Sequence, residues 1–314
     1  MKKFLIVAFV CCFASLQNVF ACDYCMCSYG VSPVLQNNIS IGLDFRYLDF
    51  NTIVNGHTVI PNSFNQNETV FSTRLTGIIP LHSLSQNLSA IISFPVVFHN
   101  YTAAQTPDAV NEGVGPDASS SGISDMTAFL SYMFWHSMGD EWSFSAAAMV
   151  GAKIPTGYTG AKDEYGNLLN TDLEGGTGSL DPMMNLTLLA GAGNWGMSLN
   201  LFDWYPTKGA QQYQYGNSFT YEYNAIYHVL PDVFNSPNLY VGAGIGGEWH
   251  GVEYQDGVAQ DNTGGNSNYI APSVRLQFDR VTLNARMQYF FLHNVNGEQL
   301  DYTYRILAGI QYQL

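Results

Sequence analysis

From Tyr302 to the last residue, every second position is apolar or aromatic: Tyr302, Tyr304, Ile306, Ala308, Ile310, Tyr312 and Leu314. A period of two places those side chains on one face of a strand. The same alternation recurs along the chain, and twelve segments carry it. They are centred on Ile39–Tyr47, Phe71–Ile79, Leu88–Phe98, Met126–Phe134, Trp142–Ile154, Met184–Ala190, Trp195–Leu201, Phe219–Val229, Leu239–Trp249, Ile270–Phe278, Val281–Phe291 and the C-terminal stretch. Each is close to the length of about nine to eleven residues that crosses a bilayer at a tilt.

The connections alternate too. Short ones fall near Pro80–Gln86, His136–Glu141, Gly191–Asn194, Leu230–Asn238 and Asp279–Arg280. Long polar ones fall at Asn51–Asn67, Asn100–Gly122, Pro155–Leu180, Pro206–Asn217 and Gly251–Asn266, with a shorter sixth near Asn294–Leu300. Bacterial barrels have short periplasmic turns and long outer loops, a rhythm that a β-sandwich does not require. The pattern therefore predicts an all-β, closed antiparallel transmembrane barrel of twelve strands over residues 38–314, with both termini in the periplasm. Trp135, Trp142, Trp195, Trp204, Trp249 and Tyr312 lie near predicted strand ends, where aromatic belts meet lipid headgroups.

Composition supports a lipid-facing exterior. Charged residues are 11% of the chain, against about 25% in soluble domains. The net charge of −14 argues against a nucleic-acid partner, because phosphate contacts require Lys and Arg. Residues 1–21 read as a signal peptide: Lys2 and Lys3, an apolar Phe4–Leu16 core, then Val19-Phe20-Ala21. Residues 22–37 follow as a periplasmic segment. It carries Cys22, Cys25 and Cys27, an odd number in an oxidising compartment. Three thiolates so close together suit Cu(I) or Zn(II). A Cys22–Cys25 disulfide with one leftover thiol, or lipid anchoring through Cys22, accounts for the same residues.

If the apolar face of each strand meets lipid, the opposite face meets the lumen. Arg46, Arg74, Arg275, Arg286 and Arg305 all fall on that inner face, on strands that become neighbours when the barrel closes. They define either an anion-selective or solute-binding wall, or a structural set paired with inner acids such as Asp44. Inner apolar residues such as Leu48, Phe290 and Leu307 would narrow the passage. The outer loops are acidic: Asp108, Glu112, Asp117, Asp163, Glu164, Asp172, Glu174, Glu253, Asp256, Asp261 and Glu298 read mainly as solvated charge, with divalent bridging to lipopolysaccharide as the alternative. Gly242-Ala-Gly-Ile-Gly-Gly247 matches a dinucleotide fingerprint as a string. It sits within a predicted strand, so it reads as strand bending or room in the lumen. His99, His250 and His293 near the outer strand ends are what a barrel hydrolase would need beside a nucleophile, and only geometry can unite them.

The middle of the chain carries a series of short motifs in order: Phe94-Pro95 ending the third strand, Gly122-Ile-Ser-Asp125 opening the fourth, Gly151-Ala-Lys-Ile-Pro-Thr-Gly157 closing the fifth, then Gly176-Thr-Gly-Ser-Leu-Asp181, Asn194-Trp-Gly196 and Gly216-Asn217. In this order, from Ile39 to the C-terminus, the chain resembles the outer-membrane barrel family labelled for the meta-pathway of phenol degradation. The start Cys22-Asp-Tyr-Cys-Met-Cys27 is similar to a cysteine-rich opening on some barrels of this type, with Met26 where a glycine usually lies. The resemblance implies passage of small solutes, anionic or hydrophobic, across the outer membrane. It carries over no catalytic or binding set. The alternatives are a periplasm-facing Cu- or Zn-binding barrel and a barrel hydrolase. The expected partners are outer-membrane lipids, lipopolysaccharide and a small solute, and the oligomeric state is left open.

Overall fold

The computed structural model describes residues 38–62, 66–102, 117–139, 141–162, 166–169, 171–230 and 237–314. The expected signal peptide and the cysteines at 22, 25 and 27 lie outside them.

Twelve long strands build one closed antiparallel barrel. They are β1 (Ser40–Asn55), β2 (Asn67–Pro80), β3 (Leu88–Thr102), β4 (Met126–Met138), β5 (Trp142–Ile154) and β6 (Asp181–Ala192). The second half is β7 (Trp195–Trp204), β8 (Ser218–Leu230), β9 (Asn238–His250), β10 (Gly265–Phe278), β11 (Val281–Val295) and β12 (Glu298–Gln313). Each strand pairs with the next, and β12 pairs back onto β1 from Ser40↔Gln313 through Leu43↔Ile310 to Asn55↔Glu298. No edge is left, so the ladder hydrogen bonds are all made within the chain.

Alternation decides which face is which. Along β1, Ile41, Leu43 and Phe45 are exposed, while Ser40, Asp44 and Leu48 are buried. Along β12, Ile306, Ile310 and Tyr312 face out, and Arg305, Leu307 and Gln311 face in. Phe71, Leu75, Phe94, Phe98, Val241, Ile245, Ile270, Val274 and Met287 continue the same apolar outer surface. Leu48, Phe290 and Leu307 point inward, as expected. Both ends of the barrel chain lie on the side of the short turns. Turn residues Gly193 and Gly297 adopt positive φ of 58° and 67°, which tight hairpins demand.

Four local expectations are corrected. The third strand does not end at Phe94-Pro95; it runs on to Thr102. The fourth strand does not open at Gly122: Ala118–Ile123 already pairs with β3, up to Val96↔Ile123, before β4 resumes at Ser93↔Thr127. At this bulge Ser124, Asp125 and Met126 face only Phe94 and Pro95, and Pro95 has no N–H to give. The wall stays closed there, with Ser124 N donating to Pro95 O at 2.9 Å. Tyr302, counted on the outer face, is buried inside: register shifts between Asp49 and Thr52 leave Thr303 unpaired and invert the phase. Trp204, counted in the aromatic belt, is 4% exposed and faces inward, whereas Trp135, Trp142, Trp195 and Trp249 face outward.

On the long-loop side, two pieces of structure rise above the wall. Tyr213–Gln214, Glu253–Gln255 and Val258–Gln260 form a small three-stranded sheet. The β5–β6 connection forms a lobe with a Lys162–Leu168 bridge and a single helical turn at Thr171–Leu173.

Ile306 sits mid-strand on the lipid face. Ile306→Arg should lower the unfolding free energy in bilayers by about 2–4 kcal/mol, measured by denaturant titration in vesicles. An unchanged midpoint would remove that face from the hydrocarbon.

Candidate functional site

The loop-side half of the lumen holds a cavity of about 930 Å³. Its deep end is formed by Arg46, Ser72 and Arg74; its flank by Leu48, Val70, Val97 and Tyr302; its upper part by Glu68, His99, Glu253, Asp301, Leu169 and Leu173. Arg46 Nε donates to Ser72 Oγ at 3.3 Å. Arg74 lies directly across the ladder from Asp44, the acid expected to serve it. Strands β1 and β12, each 16 residues, overrun the hydrocarbon depth and carry the cavity walls beyond it.

All five arginines lie on the inner face, but they do not form one wall around an open path. Arg305 is fully buried. Its Nη1 donates to Glu248 Oε1 at 2.7 Å and to Gln288 Oε1 at 3.1 Å, and its Nη2 to Glu248 Oε2 at 3.2 Å. The guanidinium also stacks near the rings of Tyr302 (4.6 Å) and Phe290 (5.1 Å). Arg286 pairs with Glu222, whose carboxylate also accepts from Tyr269 Oη at 2.9 Å and Asn224 Nδ2 at 2.6 Å. Arg275 is buried beside Tyr240. Thus Arg275, Arg286 and Arg305 belong to a packed polar layer on β8–β12, while Arg46 and Arg74 border the cavity.

The glycine string on β9 explains how that layer fits. Gly242, Gly244 and Gly246 face inward. A Cβ on Gly246 would meet the tip of Tyr269 at 2.7 Å, and one on Gly244 would meet Asn224 Oδ1 at 2.3 Å. The missing side chains are the space through which Tyr269 and Asn224 reach Glu222. Glu222 and Glu248 were not singled out from sequence; their parity opposite Tyr221, Tyr223 and Trp249 was the available signal.

The motifs of the middle of the chain converge on one node that sequence spacing did not reveal. Lys153 Nζ, at the loop end of β5, meets Asp181 Oδ2 at 2.9 Å, Asp125 Oδ2 at 3.0 Å and Ser179 Oγ at 3.3 Å, and also bonds Thr177 Oγ1. Asp125 accepts from Gly157 N at 2.9 Å, Thr177 N at 2.9 Å and Thr177 Oγ1 at 2.6 Å. Asp181 accepts from Trp204 Nε1 at 3.1 Å and Thr207 N at 2.8 Å. Trp204 turns inward to serve this site.

The rim histidines each meet a carboxylate: His99 with Glu68 at 3.4 Å, His250 with Glu248 at 3.7 Å and His293 with Asp301 at 2.7 Å. Ser267 Oγ lies 3.4 Å from His293, on the same Nδ1 that meets Asp301. A nucleophile relay uses the two ring nitrogens separately, so this trio is not arranged as one. Two acids expected to be solvated are withdrawn from solvent, Glu174 buried and Glu253 half-buried. Glu174 Oε1 accepts from Gly160 N at 2.6 Å and Ala161 N at 3.1 Å. Burial raises the Glu253 carboxyl above its ordinary range, opposed by a hydrogen bond from Tyr213 Oη and the charge of His250. Asp108, Glu112, Asp163 and Glu164 lie outside the described residues.

Arg305→Met should destabilise the barrel by about 3–5 kcal/mol by stranding the Glu248 charge, and adding Glu248→Gln should recover most of that loss. Equilibrium unfolding of the two variants checks it; equal losses would mean the pair is not coupled.

A family model described as "Putative MetA-pathway of phenol degradation" matches residues 49–298. Among solved structures, the COG4313 outer membrane channel from Pseudomonas putida F1 aligns with a TM-score of 0.63 at 16% identity, covering 89% of this chain and 97% of that one. The β domain of the Bordetella autotransporter BrkA aligns at 0.45 and 9% identity over 88% and 100% of the two chains. The translocator domain of NalP from Neisseria meningitidis aligns at 0.42 and 12% identity over 89% and 90%. No curated protein matches the chain.

Proposed function

The chain belongs to that phenol-degradation family, and from this premise we propose that it is a passive outer-membrane channel for small solutes. The observation that carries the reading is a cavity of about 930 Å³ enclosed by a wall whose outer surface is apolar. The COG4313 protein, which shares the fold, is itself an outer membrane channel. In this reading the long loops face the exterior, and the short turns and both chain ends face the periplasm.

The cavity sets the terms of passage. A solute first meets carboxylates at Glu68, Glu253 and Asp301, then the apolar flank of Leu48, Val70 and Val97, then the guanidiniums of Arg46 and Arg74. Successive layers of opposite sign oppose ions of either charge, and the apolar flank suits a small body with little charge. Of the five arginines, Arg46 and Arg74 are the two that touch the solute. Arg275, Arg286 and Arg305 act by packing the opposite side of the lumen.

Purified barrel in planar bilayers and in solute-loaded liposomes tests the reading. Wild type should pass small uncharged aromatics in liposome flux and carry a modest ion current. Arg46→Ala should move the reversal potential toward cation preference, while Arg286→Met paired with Glu222→Gln should not. Absence of both current and flux in the wild type would remove the channel reading.

A further inference from the structure

We propose that Lys153 is a positioning residue. Held between Asp125 and Asp181, it clamps the β5–β6 lobe into the mouth of the barrel so that Leu169 and Leu173 narrow the entrance. The clamp stands on contact geometry alone; the consequence for permeation rests on the channel reading above.

The wall itself does not need this node. Thr127↔Lys153 and Lys153↔Asp181 are already paired by the β4–β5 and β5–β6 ladders. What the charged cluster adds is contact with residues those ladders do not hold: Gly157, Thr177, Ser179 and Thr207 all lie in loops. A buried ammonium is tolerated only when its donors are satisfied, and two carboxylates around it need further donors of their own. The backbone N–H groups of Gly157, Thr177 and Thr207 supply them. Both carboxylates are therefore satisfied only when the lobe and the β7–β8 loop are in place, which couples loop position to the charge balance of the rim.

Glycines make the crossing possible. A Cβ on Gly157 would lie 2.5 Å from Gly176 Cα, and one on Gly209 would lie 2.1 Å from Thr177 O. The two limbs of the lobe touch there, with Gly176 N donating to Tyr158 O at 2.9 Å and Tyr158 N to Ile123 O at 3.2 Å. Beyond the crossing, Ser120 Oγ bonds Leu173 O, and Gln211 Nε2 donates to Leu169 O at 3.0 Å. Leu169 and Leu173 are buried and border the cavity. The short motifs of the middle of the chain, from Asp125 through Lys153 and Gly157 to Thr177 and Asp181, are thus the parts of one clamp.

The test uses the full barrel with Lys153→Met, and Thr177→Val as a milder variant that strands no charge. Heat-modifiable migration on gels reports the intact barrel, trypsin cleavage after Lys162 reports the lobe, and single-channel conductance reports the entrance. Lys153→Met should keep the barrel, speed cleavage about ten-fold, and raise conductance about two-fold, because cleavage tracks the open population of a local segment. An intact variant with wild-type cleavage overturns the clamp. Faster cleavage with unchanged conductance overturns the narrowing role. If Lys153→Met does not fold, Thr177→Val decides by the same readouts. Faster cleavage in a barrel that gives neither current nor solute flux in any form keeps the clamp and removes the channel reading instead.

Discussion

Everything here depends on one constraint. A backbone at membrane depth has no water to satisfy its N–H and C=O groups, so every ladder must close within the chain. The pairing of β12 onto β1 meets that requirement, and the chain runs from one seam strand to the other with no edge left over. Once closure is imposed, period-two alternation sorts the side chains without further instruction. Apolar residues face lipid, and the remainder share an enclosed space.

That enclosed space is used in two ways. Along β8–β12 it is filled: Glu222, Arg286, Glu248, Arg305, Gln288, Tyr269 and Tyr302 form a packed, ion-paired polar layer, made possible by inward glycines on β9. Along β1–β4 its loop-side part is left open, with Arg46 and Arg74 at the deep end of the cavity, while below it Ile78, Ile91 and Phe129 pack with Met149, Met183 and Phe202 in an apolar cluster. Burying charges in pairs keeps the filled half rigid, and a rigid half gives the open half a defined shape. The bulge at Pro95 and Ser124 serves the same division. It brings Asp125 to the rim without opening the wall.

Much of this was legible in the residues. The twelve strands, the long and short connections, and the inward parity of all five arginines follow from local alternation. Tyr302 was assigned by counting in twos, and a register shift overrode the count. Trp204 was assigned to the belt by its place near a strand end, although alternation with Trp195, Met197, Leu199 and Leu201 already turns it inward, where Asp181 accepts its indole N–H. Phe94-Pro95 was read as a strand end, yet the neighbouring strand absorbed the proline's missing donor as a bulge. Glu174 and Glu253 were read as solvated because loop acids usually are. Here folded loops bury Glu174 and half-bury Glu253.

What the sequence determined by itself is the barrel and its two faces, because a period of two is a property of neighbouring residues and needs no partner. What tertiary structure decided is who meets whom across the lumen and above it. Arg305 finds Glu248, 57 residues away, and Thr177 finds Asp125, 52 residues away. Such pairs depend on strand register, tilt and loop folding together, and none of these is written in any local window. The same arginines could have lined an open filter or locked a packed layer; closure of the sheet sent Arg46 and Arg74 to the cavity and Arg286 and Arg305 to their acids.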